Sequence, residues 1–466
     1  MAISGSSLTM SQQITADQYF QPIGLADYRS AAIEGGGQAA ELIDELLARI
    51  RQLEPALRSL VFIDTAGARE RAAELDALIA DGGQALPLHG IPVIVKEIFS
   101  IDGMPNSAAS ALSAQLQFEP EGAFVKRLRA LGCIILGKSV STEFAFGQYN
   151  LSRQMPANPS GLPDRYLTGG SSAGSAAAQA AGFCGFAVGT DTGGSVRAPA
   201  ALCGVVGFKP TTGRWSTDGI FPLSRLLDTP GIFTSNALDA MTVAAAFDGG
   251  SVSAPARLEG LRLGVPQLPF FADLEEPVRV AIDRSFKRLE GAGVVLVPLD
   301  FPGLDAIQQY FAVDLPCELI AGLGRELVTQ QAELLDPLTR LRFEKVLSAR
   351  VHSYAVNDLP ILQEQVAETM RKANVASWLA PTVPCVASNE ASLQSVEEQL
   401  LWQAFVSRNT RCINALGMTA CTVPLAVGAG ELPVGLQIAG LAGTDGLVLS
   451  QAAAMESVFQ VNAALR

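Results

Sequence analysis

Residues 169–210, GGSSAGSAAAQAAGFCGFAVGTDTGGSVRAPAALCGVVGFKP, constrain this 466-residue chain more than any other stretch. Three clusters of small residues lie there between apolar runs: Gly169 to Ser175, Gly189 to Ser195, and Gly204 to Thr211 around Lys209 and Pro210. Taken singly, each reads as an ordinary turn, because Gly and Ser dominate turns. Together, two hydroxyl-bearing glycine loops suggest a serine nucleophile beside backbone N–H donors, since glycine lets the backbone approach a ligand closely. The segments between them read as a helix over Ser172 to Ala181, a strand over Phe183 to Gly189, and a short helix opened by Ser195. A nucleophile at a strand-to-helix turn gains from the free N–H groups and dipole of the helix start.

Such a serine needs a base. The chain has two histidines, His89 and His352, which leaves little for a Ser-His-Asp arrangement, a cysteine–histidine pair or a histidine metal site. Lysine is the substitute. Lys96 ends the apolar run Ile91 to Val95, where a lysine either snorkels to the surface or is desolvated enough to be a neutral amine. Lowering a lysine pKa from about 10.4 to about 7 costs roughly 4 to 5 kcal/mol, which burial has to supply.

At this point GGSSAGS at 169–175, GTDTGGSVRAPAALCGVVGFKPT at 189–211 and GIPVIVKE at 90–97 resemble the amidase signature family, with LPVGLQIAG at 432–440 extending the match. The resemblance implies Ser195 as nucleophile, Ser171 as bridging serine after a cis peptide bond to Gly170, and Lys96 as base. It also implies an oxyanion hole of backbone N–H groups from Thr192, Gly193, Gly194 and Ser195. Substrate-binding positions are then Gly170, Thr192, Gly193 and Gly194, supported by Asp191, Arg197 and Lys209. Glu97 stands where the family more often has Asp, and Ala173 where it more often has Gly. The expected activity is acyl transfer from a carboxylic, urea-like or carbamate-like amide to water, with no metal and no organic cofactor. Two other readings stay open: the glutaminase-type subunit of a tRNA-dependent amidotransferase, and a catalytically inactive scaffold on the same fold.

Another motif is a decoy. Gly132-Cys133-Ile134-Ile135-Leu136-Gly137-Lys138-Ser139 fits the nucleotide-binding pattern G-x-x-x-x-G-K-S. A phosphate loop needs its middle residues in an open loop; Cys-Ile-Ile-Leu reads as a buried strand.

Around these motifs helices and strands alternate. Residues 38–53, 66–80, 277–291, 395–415 and 443–461 read as helices, with Pro55 ending the first, and 305–373 as mainly helical. Continuous apolar strands indicate an α/β fold: one large domain over 15–466, with a mixed, mostly parallel sheet wrapped by helices. Its signature core covers about 85–215, and residues 305–373 form a helical insert at the substrate pocket. Specificity is expected from loops 98–112 and 144–166, the region of Phe221 and that insert, with Phe99, Phe144, Phe146, Tyr149, Trp402 and Phe405 available. Residues 1–14 read as a tail without the charged and apolar regions of a signal peptide, and no stretch is long enough for a membrane span. Seven cysteines without a C-x-x-C pair read as reduced thiols of a cytoplasmic protein. A net charge of −13 argues against nucleic acid or an anionic membrane as partner. A small-molecule amide is the expected partner, and a homodimer is compatible with the sequence.

Overall fold

The structure is a computed structural model and describes residues 16–33, 38–267, 269–301, 304–348, 355–425 and 430–459; the expected tail at 1–14 lies outside them. The strands are β1 (Leu60–Ile63), β2 (Pro92–Lys96), β3 (Ile134–Ser139), β4 (Phe186–Thr190), β5 (Val206–Lys209) and β6 (Pro230–Thr234) in the first half. In the second half are β7 (Arg262–Pro266), β8 (Val295–Leu299), β9 (Ser377–Pro381), β10 (Thr419–Leu425) and β11 (Val434–Gly440). All belong to one 11-stranded sheet in the order β1-β3-β2-β4-β6-β5-β10-β11-β9-β7-β8. The expected single α/β unit with a mixed sheet is therefore present.

The parallel share of the sheet is smaller than expected. Pairs β2–β3, β2–β4, β7–β8 and β7–β9 are parallel, whereas β1–β3, β4–β6, β5–β6, β5–β10, β10–β11 and β9–β11 are antiparallel. Two of these six antiparallel pairs are made by β6. Its sequence PGIFT carries two residues that weaken a strand reading, Pro230 and Gly231, and yet it runs antiparallel between β4 and β5. Gly231 allows this: a Cβ there would lie 2.6 Å from the Phe208 carbonyl oxygen.

Central strands β2, β4, β5, β6, β9, β10 and β11 are buried along their whole length, which is why β2, β4 and β9 to β11 read as strands from sequence. The helix Ala39–Leu57 is amphipathic and buries Ile43, Leu46, Leu47, Ile50, Leu53 and Leu57. Pro55 lies inside this helix rather than ending it. A proline so near the C-terminus disturbs only the last turn, and the helix closes at Arg58, whose φ is 54° and whose N–H donates to the Glu54 carbonyl. The expected helix at 395–415 is two helices, Val396–Val406 and Arg408–Ala415, broken at Ser407. The first opens with a capping box of Ser395 and Glu398. Helices Leu25–Ile33 and Ala237–Asp248 were not legible in the sequence.

The decoy motif resolves as the sequence suggests. Ile134–Ser139 is β3, paired with β1 and β2, and Lys138 is buried, donating to Pro105 O at 2.7 Å and to Asn106 Oδ1. No helix among the described residues is long and apolar enough to cross a membrane.

The helix Ala173–Ala180 packs so closely on the sheet that Gly174 would place a Cβ 2.1 Å from the Ser59 carbonyl oxygen and 2.5 Å from Val140 N. Both are backbone atoms and cannot swing away. Gly174→Ala is expected to lower unfolding free energy by about 1 to 3 kcal/mol through overpacking, read by chemical denaturation, whereas Gly322→Ala in the helix Leu315–Leu323, where a Cβ meets nothing, costs less.

Candidate active site

Parallel pairing of β2 with β4 sets Val95 opposite Val188, so both strands end at the same edge, with Lys96 and Thr190 as last residues. Lys96 Nζ donates to Thr190 Oγ1 at 2.8 Å and to Ser171 Oγ at 2.7 Å. Lys96 is wholly buried, and desolvation pushes its amine down to about 7 against the opposing pull of Asp228, Asp191 and Glu97. Glu97 is held elsewhere, by Ser141 N–H at 2.6 Å, Ser107 Oγ at 3.0 Å and Arg153 at 2.9 Å.

The first serine loop contains a cis peptide bond between Gly170 and Ser171. Ser171 O accepts from Thr142 N at 3.2 Å, and Gly170 N donates to Gln148 Oε1 at 2.8 Å. The Gly170 N–H is thus taken up within the protein, and a Cβ there would meet the Gln148 carbonyl oxygen at 2.8 Å. Ser172 joins the two loops. Its N–H donates to Ser195 O at 3.3 Å and its Oγ to Thr190 O at 3.2 Å.

The second loop is wound around Asp191. Its carboxylate accepts from Gly194 N at 2.8 Å, from Val196 N and Arg197 N at 3.2 Å, and from the Arg197 guanidinium at 2.9 and 3.1 Å. Asn414 Nδ2 adds a donor at 2.8 Å. Burial opposes the charge, but the Arg197 charge and these donors hold the carboxyl well below its ordinary range. The Gly194 N–H, expected in the oxyanion hole, is therefore already committed to Asp191. Among the described residues no hydrogen bond takes up the N–H groups of Thr192, Gly193 and Ser195. Lys209, expected to fix this loop, donates its hydrogen bonds to Pro210 O and Met418 O, each at 2.8 Å, and acts on Asp191 through its charge.

Ser195 is 6% exposed and faces a cavity of about 70 Å³ whose wall includes Thr192, Gly193, Phe146, Leu223 and Phe311. Lys96 and Ser171 lie behind it, off the cavity wall. The loop touches the insert and the helix Arg408–Ala415: a Cβ on Gly193 would meet the Phe311 ring at 2.7 Å, and one on Gly194 would meet Thr410 Oγ1 at 2.0 Å. Phe311 sits in a π-helical turn, Tyr310–Asp314. Thr192 Oγ1 donates to Asp228 Oδ1 at 2.5 Å, and Asp228 also accepts from Leu223 N and Ser224 N; burial raises its carboxyl to about 6.

Of the aromatic candidates, Phe146 alone lines this cavity. Phe99 packs on Phe124, Phe144 stacks on Phe221, and Trp402 joins the core with Leu167, Val383 and Val406. Sequence reasoning missed Gln148, Phe311, Arg342, Gln403 and Arg411 on the wall. They come from separate segments without a local motif, and the available signal was only that some fall in the regions expected to set specificity.

The buried lysine behind a serine at a cavity mouth belongs with a protein class. The chain matches the family model described as Amidase over residues 41–449. It is 34% identical over 410 residues to the 2-amino-5-chloromuconic acid deaminase of Comamonas testosteroni, covering 86% of this chain and 88% of that protein. It is 32% identical to one of the subunits of the glutamyl-tRNA(Gln) amidotransferase of Roseiflexus castenholzii, covering 90% and 92%. A solved structure described as an amidase superposes with a TM-score of 0.81 at 28% identity, covering 94% of this chain and all of the other. The protein is an amidohydrolase by class. It belongs to the amidase signature family.

Breaking the Asp191–Arg197 pair on one side leaves a buried charge unpaired. Arg197→Met is expected to cost about 3 to 5 kcal/mol in unfolding free energy, measured by denaturant titration, with Asp191→Asn/Arg197→Met recovering part of the loss.

Proposed function

We propose that this enzyme hydrolyses a carboxylic amide through a Ser195 acyl-enzyme, with Lys96 as base and Ser171 as proton bridge. The observation that carries the reading is the 2.7 Å contact between wholly buried Lys96 Nζ and Ser171 Oγ, behind a serine that faces the cavity. Neutral Lys96 takes the Ser171 proton as Ser171 takes that of Ser195, and Ser195 Oγ attacks the amide carbonyl carbon. The hydrogen bond to Thr190 orients the amine. The oxygen that gains charge is met by the N–H groups of Thr192, Gly193 and Ser195. The proton returns through Ser171 to the leaving nitrogen, the C–N bond breaks, and water repeats the path in reverse to release the acid. The two loops that carry Ser171 and Ser195 are tied by the Ser172 N–H to Ser195 O bond, at 3.3 Å.

A second reading, the glutaminase-type subunit, is supported by the likeness to the Roseiflexus protein along nearly its whole length. Ammonia release from an amide by the isolated chain supports the autonomous hydrolase; release only once a second protein is added supports the other.

Incubation with a fluorophosphonate followed by intact-mass spectrometry is expected to give a single adduct, absent from Ser195→Ala and slowed at least about a hundredfold in Lys96→Ala. A well-folded parent that forms no adduct refutes the acyl-enzyme. The pH profile has a definite sign. The base works as the neutral amine, and desolvation lowers its pKa to about 7, so kcat/KM rises as pH increases through about 7 and levels off above it. A profile falling over that range contradicts Lys96 as base.

A further inference from the structure

Two arginines stand on the wall of the Ser195 cavity, Arg342 from the helix Pro337–Ser348 and Arg411 from Arg408–Ala415. Neither forms an ion pair among the described residues. Arg342 donates to Phe146 O at 3.3 Å and to Gln403 Oε1 at 2.9 Å, and its guanidinium lies 4.9 Å from the centre of the Phe146 ring. Arg411 donates to Gln308 Oε1 at 2.9 Å and lies 5.3 Å from the Phe311 ring centre. All these partners are neutral. Desolvation lowers both guanidinium groups only to about 10, so both stay cationic at neutral pH.

The carboxylates nearby are engaged otherwise. Asp336 accepts from Leu151 N and Ser152 N at 2.7 Å, from Ser152 Oγ at 2.8 Å and from Leu338 N at 3.0 Å. Asp228 is taken by Thr192, Leu223 and Ser224, and Glu318 by Ser224 Oγ and Arg225 N. Two like charges held by one small cavity are unfavourable without an anion between them.

Gln403 supplies an independent observation. It is 1% exposed and lines the same cavity. Its Oε1 is saturated by Gln148 N, Tyr149 N and Arg342 Nη2, which fixes the amide so that Nε2 is the free end. That Nε2 is buried without a hydrogen-bond partner. A buried donor left unmade is costly, and here it sits beside two unpaired cations.

We infer that the cavity binds a substrate carrying its own carboxylate, with Arg342, Arg411 and Gln403 Nε2 as the anion-binding donors. This rests on the hydrolase reading for which bond is broken, and it names the substrate class: a short amide with a free acid group a few bonds from the carbonyl attacked by Ser195. The small cavity favours a compact spacer. Guanidinium recognises a carboxylate through paired N–H bonds, so a neutral ester loses the charge and half of the geometry together.

Isothermal titration of Ser195→Ala reads this site without turnover. Succinamate is expected to bind at least about tenfold more tightly than its methyl ester, because a site built for charged acceptors rejects an analogue that leaves its donors unpaired. In the Arg342→Gln/Arg411→Gln double variant on the same background the preference disappears, with thermal unfolding as the check that the variant is folded. Arg342→Lys and Arg411→Lys, made singly, keep the charge and part of the preference, which distinguishes lost recognition from lost structure. Malonamate and glutaramate with their esters set the spacer length. Equal affinity for acid and ester at every spacer, or a preference that survives the double variant, overturns the inference. The fluorophosphonate adduct separates the two readings: an adduct without acid preference sinks the anion site alone, and acid preference without an adduct sinks the hydrolase chemistry alone.

Discussion

Arg197 has no contact with solvent, and its guanidinium is shared among Asp191, Gln437 Oε1, the Thr410 carbonyl and Asn414 Oδ1. Those partners belong to the serine loop, to β11 and to the helix Arg408–Ala415, the last two more than two hundred residues from the loop in sequence. A buried guanidinium with five donors can hold them only if each donor finds an acceptor, because an unpaired charge away from water is prohibitive. That requirement fixes where the loop lies on the sheet, and the loop in turn fixes Ser195. Asp191 completes the arrangement by accepting the N–H groups of Gly194, Val196 and Arg197, so the backbone turns sharply and, among the described residues, leaves those of Thr192, Gly193 and Ser195 without an internal acceptor.

The same packing explains why the site needs so many small residues. Phe311 of the insert and Thr410 of the helix Arg408–Ala415 press on Gly193 and Gly194, while Ser59 and Val140 press on Gly174 from the sheet side. A loop held between two such surfaces has no room for side chains, and only Gly194 of these also requires a positive φ, at 120°. Close approach, more than backbone freedom, dictates the glycines here.

This explains which parts were legible from sequence. Gly-Ser loops, Lys96 at the end of an apolar strand and the strand nature of Ile134–Ser139 are local signals, set by residues adjacent in the chain. The alternation of apolar strands with helices was likewise enough to indicate an α/β unit. What escaped depends on contacts across long separations. β6 carries breaking residues and is a strand because β4 and β5 supply partners on both sides. Gly170 and Gly194 looked like ligand contacts, yet their N–H groups serve Gln148 and Asp191. Arg342, Gln403 and Arg411 lie in helices whose sequence says nothing of the cavity they reach.

Burial lowers the pKa of every cation of this site, yet it leaves them in different charge states near neutral pH. Lys96 is a single primary amine against Ser171 and Thr190 hydroxyls, with its nearest carboxylates tied up by other donors, so desolvation brings its neutral form within reach of physiological pH. Arg342 and Arg411 start from a far higher intrinsic pKa and are delocalised over a plane that can stack on Phe146 and Phe311, so comparable desolvation leaves them charged. On the proposed reading, a neutral base behind the serine and fixed positive charge in front of it can therefore coexist around one small cavity. Exchanging the residue types would invert both roles: an arginine at position 96 could not surrender its proton, and lysines on the wall would be the ones to lose theirs.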